Sequence, residues 1–296
     1  MPTLTRFIRP AYHRLRRLAR RSYAYVLYAR YLLRNRFGRS SLLGDTPVVV
    51  SLTSYGSRVS GAFATIESIG AGVTRPRRII LWLDDPEHFH HLPEALRRLQ
   101  RRGLEVRLTS NLGPHTKYYP ALTELEHTGL MLVTSDDDIM YPRRWLSDLV
   151  DAHARVPLAV CCHRAFVVAL RDGKIAPYAS WPNCRTTSPS ATHFATGVSG
   201  VLYPPAMLDA LRSHGLDFVD KTLKADDVWL HWVALRAGIL VHQIRRRPRH
   251  FLMIPGSQAG GLVHTNVAGA ANDLWIAQVY DDRDYTALED SEAPDV

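Results

Sequence analysis

The chain has 296 residues but only three cysteines, Cys161, Cys162 and Cys184, and no CxxC pair. That excludes a disulfide framework and a cysteine-built zinc site, and a reducing cytoplasm is the simplest compartment. Long hydrophobic runs are missing as well. No stretch approaches the roughly 20 apolar residues that a membrane span needs, and the best candidate, from Tyr23 to Leu33, is interrupted by Arg30. Its arginine flanks and the lack of a small-residue cleavage site speak against a signal peptide. There is no P-loop, no GxGxxG and no GxSxG, which argues against P-loop NTPase, dinucleotide-dependent and α/β-hydrolase chemistry. Residues 1–40 lack acids entirely, yet they hold eleven of the 37 basic residues, all arginines. The remainder carries 26 Lys plus Arg against 28 acids. The net charge of +9 is therefore a property of an N-terminal arm. A near-neutral body argues against a nucleic-acid partner, which needs a basic face on the folded part.

What is present begins with that arm, residues 1–46. Arginine alternates there with Leu, Tyr and Ala at roughly helical spacing. A basic, aromatic, amphipathic helix suits an anionic membrane surface; the plainer alternatives are a solubilising arm or a helix packed on the domain. This places the protein in the cytoplasm, peripherally associated with the inner face of the cell membrane. From residue 47 strands and helices alternate: strands at 47–52, 78–83, 104–108 and 130–135, helices at 61–72, 93–103, 119–129 and 142–156. That rhythm predicts an α/β fold, a parallel sheet with helices on both faces. After residue 157 the pattern loosens into a mixed-sheet extension of the same domain. It has one or two strands in 158–170, a long loop over 171–195, helices at 204–215 and 226–238, and a strand at 239–244. Residues 281–296 hold seven acids and one arginine, a composition that predicts a disordered tail.

The stretch "LVTSDDDIMYP" places Asp136, Asp137 and Asp138 where the fourth strand ends. In an open parallel sheet, ligands bind at the carboxyl ends of the strands. "TSYGSR" (53–58), Asp84–Asp85 and "TSNLGPHTK" (109–117) follow the other three strands, so all four pieces should converge on one crevice. Three adjacent carboxylates repel one another unless a hard divalent cation such as Mn²⁺ or Mg²⁺ offsets the charge; a helix cap would use only one. A second acidic pair, Asp226–Asp227, opens a helix. Either residue could be its N-cap, or a general base for a hydroxyl nucleophile. Between the clusters, Gly197 and Gly200 in "FATGVSGVLYPP" fit a close ligand approach or an ordinary turn. "EHFHH" (87–91) reads as a solvated loop, Cys161–Cys162–His163 lacks a fourth zinc ligand, and Trp229 and Trp232 read as core.

Taken together, "VSLTSYGSR", "RIILWL", "TSDDDIMYP", "TGVSGVLYPP" and "ADDVWL" resemble, in this order, a GT-A-fold glycosyltransferase of the family-2-like bacterial group that builds surface polysaccharides and glycolipids. The resemblance covers roughly residues 48–275. It implies a Rossmann-like GT-A fold, with 47–156 as the nucleotide-sugar-binding half and 157–280 as the acceptor and catalytic half. It also implies metal-dependent transfer of a sugar from a nucleotide-sugar donor to a glycan or lipid-linked hydroxyl, with inversion. Asp136 and Asp138 match the ends of a DXD motif, Asp138 on the metal and Asp136 on ribose or metal, with Asp137 between them. Thr53, Tyr55 and Arg58 match a nucleotide-lining loop, Asp84 a nucleobase contact and Lys117 a diphosphate contact, with Gly197 and Gly200 beside the donor. Asp227 matches the catalytic base and Asp226 its acidic neighbour. The family more often has Glu-Asp there, which leaves open which carboxylate is the base. His264 is a candidate third metal ligand. The competing readings are a nucleotidyltransferase, which should carry a glycine-rich basic loop after its first strand, and a non-catalytic membrane-surface binder.

Overall fold

The structure, a computed structural model, describes residues 4–257 and 271–292. Seven strands form the central sheet: β1 (Thr46–Thr53), β2 (Pro76–Leu83), β3 (Leu104–Leu108), β4 (Met131–Thr134), β5 (Val160–Cys162), β6 (Val201–Tyr203) and β7 (Val241–Gln243). Their order is β7-β5-β6-β4-β1-β2-β3. All neighbours pair in parallel except β6, which runs antiparallel to both β4 and β5. The mostly parallel α/β sheet expected from the alternation is the one found.

Strand alternation divides the core between the two faces of the sheet. Val49 and Leu132 face one apolar cluster with Trp229 and Phe194. Val48, Val50, Leu52 and Val133 face the other with Trp145 and Phe63. Trp229 is fully buried, as a core residue should be. The three cysteines are free and buried, consistent with apolar packing.

The N-terminal arm is one helix, α1 (Leu4–Phe37). One face of its second half docks on the domain: Ala24 and Tyr31 are buried, and Tyr28 packs on Phe63 at 5.6 Å between ring centroids. Polar ties fix the same end. Arg34 Nε donates to Glu67 at 2.9 Å, and Arg98 donates to Asn35 Oδ1 at 2.9 Å.

Two expectations are corrected. The helix at 119–129 stops at Glu124, because the chain turns through left-handed His127 (φ 56°) and Gly129 (φ 66°). The acidic tail, expected to be disordered, forms a helix over Asp282–Glu292. Leu288 on it is buried, Asp284 pairs with Arg236 at 2.6 Å, and the Trp232 indole N–H donates to Asp284 at 3.2 Å. These tertiary contacts override the charge repulsion that composition alone suggests.

Candidate functional site

The triple aspartate follows β4 in a turn that is locked before any ligand arrives. The Thr65 hydroxyl is shared between the carbonyls of Asp137 and Ile139, at 2.9 and 2.7 Å. The Asp136 N–H donates to the Tyr141 hydroxyl at 3.0 Å, and the Ile254 N–H donates to the Asp138 carbonyl at 2.7 Å. With the backbone held, the three carboxylates diverge. Asp137 turns inward, accepting from Ser54 Oγ at 2.5 Å and from Arg58 Nε at 3.2 Å. This pairing ties the loop after β1 to the loop after β4. Asp138 lies 3.3 Å from Arg58 Nη2. Asp136 is the most open, with its side chain 26% exposed.

Lys117 crosses the site. Its ammonium lies 3.6 Å from Asp136 and 2.8 Å from Asp226. Burial alone would lower the Lys117 pKa, but the charges of Asp226, Asp136 and Asp227 outweigh it and hold it well above the ordinary lysine value. The two acidic clusters of the sequence are thus joined through one cation.

Neither Asp226 nor Asp227 caps its helix, Asp226–Arg236; Ala225 holds the N-cap position without a side-chain bond. Both carboxylates turn to the site instead. Asp227 Oδ1 accepts the Gly197 N–H at 3.0 Å. Burial first, then the charge of Asp226, pushes Asp227 up to about 7, against the opposing pull of Lys117 and the Gly197 N–H. Burial, then the charge of Asp136, raises Asp138 to about 6, against Arg58.

The glycines have separate reasons. A Cβ on Gly197 would lie 2.8 Å from Lys117 Nζ and 3.3 Å from Asp227 Oδ1, so glycine leaves room for that pair. Gly200 (φ +90°) lies against Trp145, which a Cβ would meet at 2.6 Å; it serves packing. Thr53 donates to the Trp82 carbonyl at 3.1 Å, while Tyr55 is exposed with Arg58 5.5 Å from its ring centroid. Asp84 ends β2 half-buried and enters none of the ion pairs that link the cluster among the described residues. Its neighbour Asp85 caps the helix Pro86–His90 through the Glu87 N–H at 2.8 Å. His264 lies outside the described residues.

Sequence reasoning passed over Thr65, Tyr141 and Arg164. The first two act through backbone bonds that no motif marks. Arg164 follows the cysteine pair, and only the folded chain brings it to Thr196, next to the Gly197 that donates to Asp227.

The donor set bears on a metal. Among the described residues no three His, Cys, Asp or Glu side chains converge on one point. Asp136 and Asp138 offer two carboxylates, the number that commonly holds Mg²⁺ when phosphate oxygens and water complete its shell. Asp138, raised first by burial and then by the charge of Asp136, is a carboxylate that a cation would stabilise. The residues fit a hard divalent ion shared with a phosphorylated ligand.

No protein-family model and no curated protein matches the chain. Solved structures do show similarity. One is a mannosyltransferase from Pyrobaculum calidifontis in complex with GDP-Man and Mn²⁺, with 14% identity, a TM-score of 0.48, and coverage of 93% of this chain and 84% of that one. Another is CMP:2-keto-3-deoxy-manno-octonic acid synthetase complexed with CTP, with 14% identity, a TM-score of 0.42, and coverage of 77% and 99%. A third is S. aureus TarS 1–349 in complex with UDP, with 14% identity, a TM-score of 0.44, and coverage of 66% and 57%. The likeness is one of chain path alone.

Proposed function

We propose that this protein is a metal-dependent glycosyltransferase of GT-A type. It would move a sugar from a nucleotide-sugar donor to a hydroxyl of a glycan or lipid-linked acceptor, with inversion. The observation that carries this reading is Lys117, which links the strand-end acids through Asp136 to the helix-borne pair through Asp226. A phosphate-side cluster and a base-side cluster then belong to one site.

Asp136 and Asp138 would hold Mn²⁺ or Mg²⁺, which when bound neutralises charge on the diphosphate. Tyr55 offers the nucleotide an exposed ring, and Lys117 adds a fixed positive charge. Asp226 is engaged by Lys117, whereas Asp227 is half-buried with its pKa near neutrality, so Asp227 is the better base. It takes the acceptor hydroxyl's proton as that oxygen attacks the anomeric carbon. The bond to the diphosphate breaks on the opposite face. An anionic membrane surface is proposed as a partner through α1, and the cytoplasmic face of the cell membrane as the location.

The test is release of nucleoside diphosphate from a panel of sugar nucleotides with Mn²⁺, Mg²⁺ or EDTA, beside Asp138→Asn. Metal-dependent release from one donor is expected, reduced by about a hundredfold in the variant. Pyrophosphate released from a nucleoside triphosphate would instead mark a nucleotidyltransferase. No release and no donor-induced thermal shift would leave a membrane-surface binder.

A further inference from the structure

Arg164 is a half-buried arginine beside the site. Arg58, Arg78, Arg102 and Arg236 each meet a carboxylate. Among the described residues Arg164 meets none. Its Nη1 donates to the Thr196 hydroxyl at 3.4 Å, and among the described residues its Nε is buried without a hydrogen-bond partner. A buried donor left unmade is unfavourable, which is hard to account for if Arg164 serves the fold alone.

Its position is defined. The Arg164 carbonyl accepts the Thr196 N–H at 3.1 Å, and the next residue, Gly197, donates to Asp227. The guanidinium and the proposed base therefore flank one short segment. Arg164 also stacks over Phe166, 4.8 Å from the ring centroid, which restricts the plane of its fork. A planar fork with free donors matches phosphate or carboxylate oxygens.

We infer that Arg164 binds an anionic group, a phosphate or a carboxylate, carried by the acceptor next to Asp227. This rests on the reading of Asp227 as the base. The surroundings agree with it. Arg20 of α1 donates to the carbonyls of His250 and Phe251, at 3.2 Å each. His250 is lowered by burial, then by the charges of Arg164 and Arg20. Arg20 of the arginine-rich helix and Arg164 thus both lie near His250, so a second cation stands close to the proposed anion site.

The experiment is calorimetric binding of octyl glucoside, octyl glucuronide and a phosphorylated octyl glucoside, each below its micelle concentration, to the full chain. Wild type, Arg164→Gln and Arg164→Lys are compared, with thermal melting to confirm folding. Wild type should prefer a charged amphiphile by about tenfold, and Arg164→Gln should bring the ratio near one, with partial recovery in Arg164→Lys. The glucuronide and phosphate arms show which anion is recognised. Absence of binding or of a charge preference in wild type, or a preference that survives Arg164→Gln, would overturn the inference. So would a variant that shifts only the pH midpoint of donor hydrolysis, since that marks tuning of Asp227. Charge-selective binding without turnover of any sugar nucleotide would sink the glycosyl-transfer reading and leave the anion site standing.

Discussion

Asp227 gives up most of its water while keeping one backbone donor, the Gly197 N–H, and its acidic neighbour raises its pKa further, to about 7. A base acts in its deprotonated form. Transfer at saturating substrate should therefore rise about tenfold per pH unit below 7 and level off above it. Stability moves the other way. The folded pKa exceeds the unfolded carboxylate value, so this contribution is full in acid and is lost as pH rises through about 7. Asp227→Asn should lower transfer by about 10²–10⁴-fold and raise the thermal midpoint relative to wild type at pH 8, but not at pH 4. A variant less stable than wild type at pH 8 would contradict this account. The acids themselves were legible in the sequence, since three adjacent aspartates at a strand end have no folding rationale. Their division of labour was not. Only the folded chain shows Asp137 consumed by Ser54 and Arg58 while Asp136 stays open.

At the scale of elements, Glu67 is the fastener. It is fully buried on the helix Ala62–Gly70 and accepts from Arg34 of α1 and from Arg102. Glu67→Gln leaves two guanidiniums without a counter-charge and should cost about 3–5 kcal/mol. Hydrogen exchange should quicken first in residues 24–37; uniform quickening across the sheet would show that α1 is not separately fastened. The strand–helix alternation over 47–156 was readable because its apolar periods are distinct. The helix at 282–292 was not, because the partners that hold it, Arg236 and Trp232, lie some fifty residues away.

For the whole molecule, the decisive property is the separation of charge. α1 shows the domain one face and solvent another, on which Leu15, Leu18, Val26, Leu33 and Phe37 are exposed. Their spacings of 3, 8, 7 and 4 residues keep them on one helical face, among arginines. No helix among the described residues is long and apolar enough to cross a membrane, so this stripe suits lying in an interface. The chain should sediment with vesicles containing phosphatidylglycerol and not with phosphatidylcholine alone, and salt should weaken the association. Leu18→Glu with Leu33→Glu should reduce vesicle binding about tenfold or more. Equal binding to neutral vesicles would exclude an electrostatic contribution. The slightly acidic body would turn away from the same surface, giving the molecule a preferred orientation.

The reversed strand β6 has a wider consequence. It meets β4 through Val201, Leu202 and Tyr203 opposite Thr134, Val133 and Leu132, and the sheet strands before β4 all lie on one side of that seam. Because β6 runs backwards, its leading segment, not its trailing one, reaches the edge where the parallel strands end. One wall of the cleft is thus a detour of the chain over 164–200 that returns to a sheet already complete on its far side. Outside the turn at Gly197–Gly200, which packs on Trp145 and leaves room for Lys117, such a wall can lengthen, shorten or change sequence without disturbing β1 to β4. In the proposed enzyme, the choice of acceptor could then diverge between relatives while the handling of the donor stays fixed.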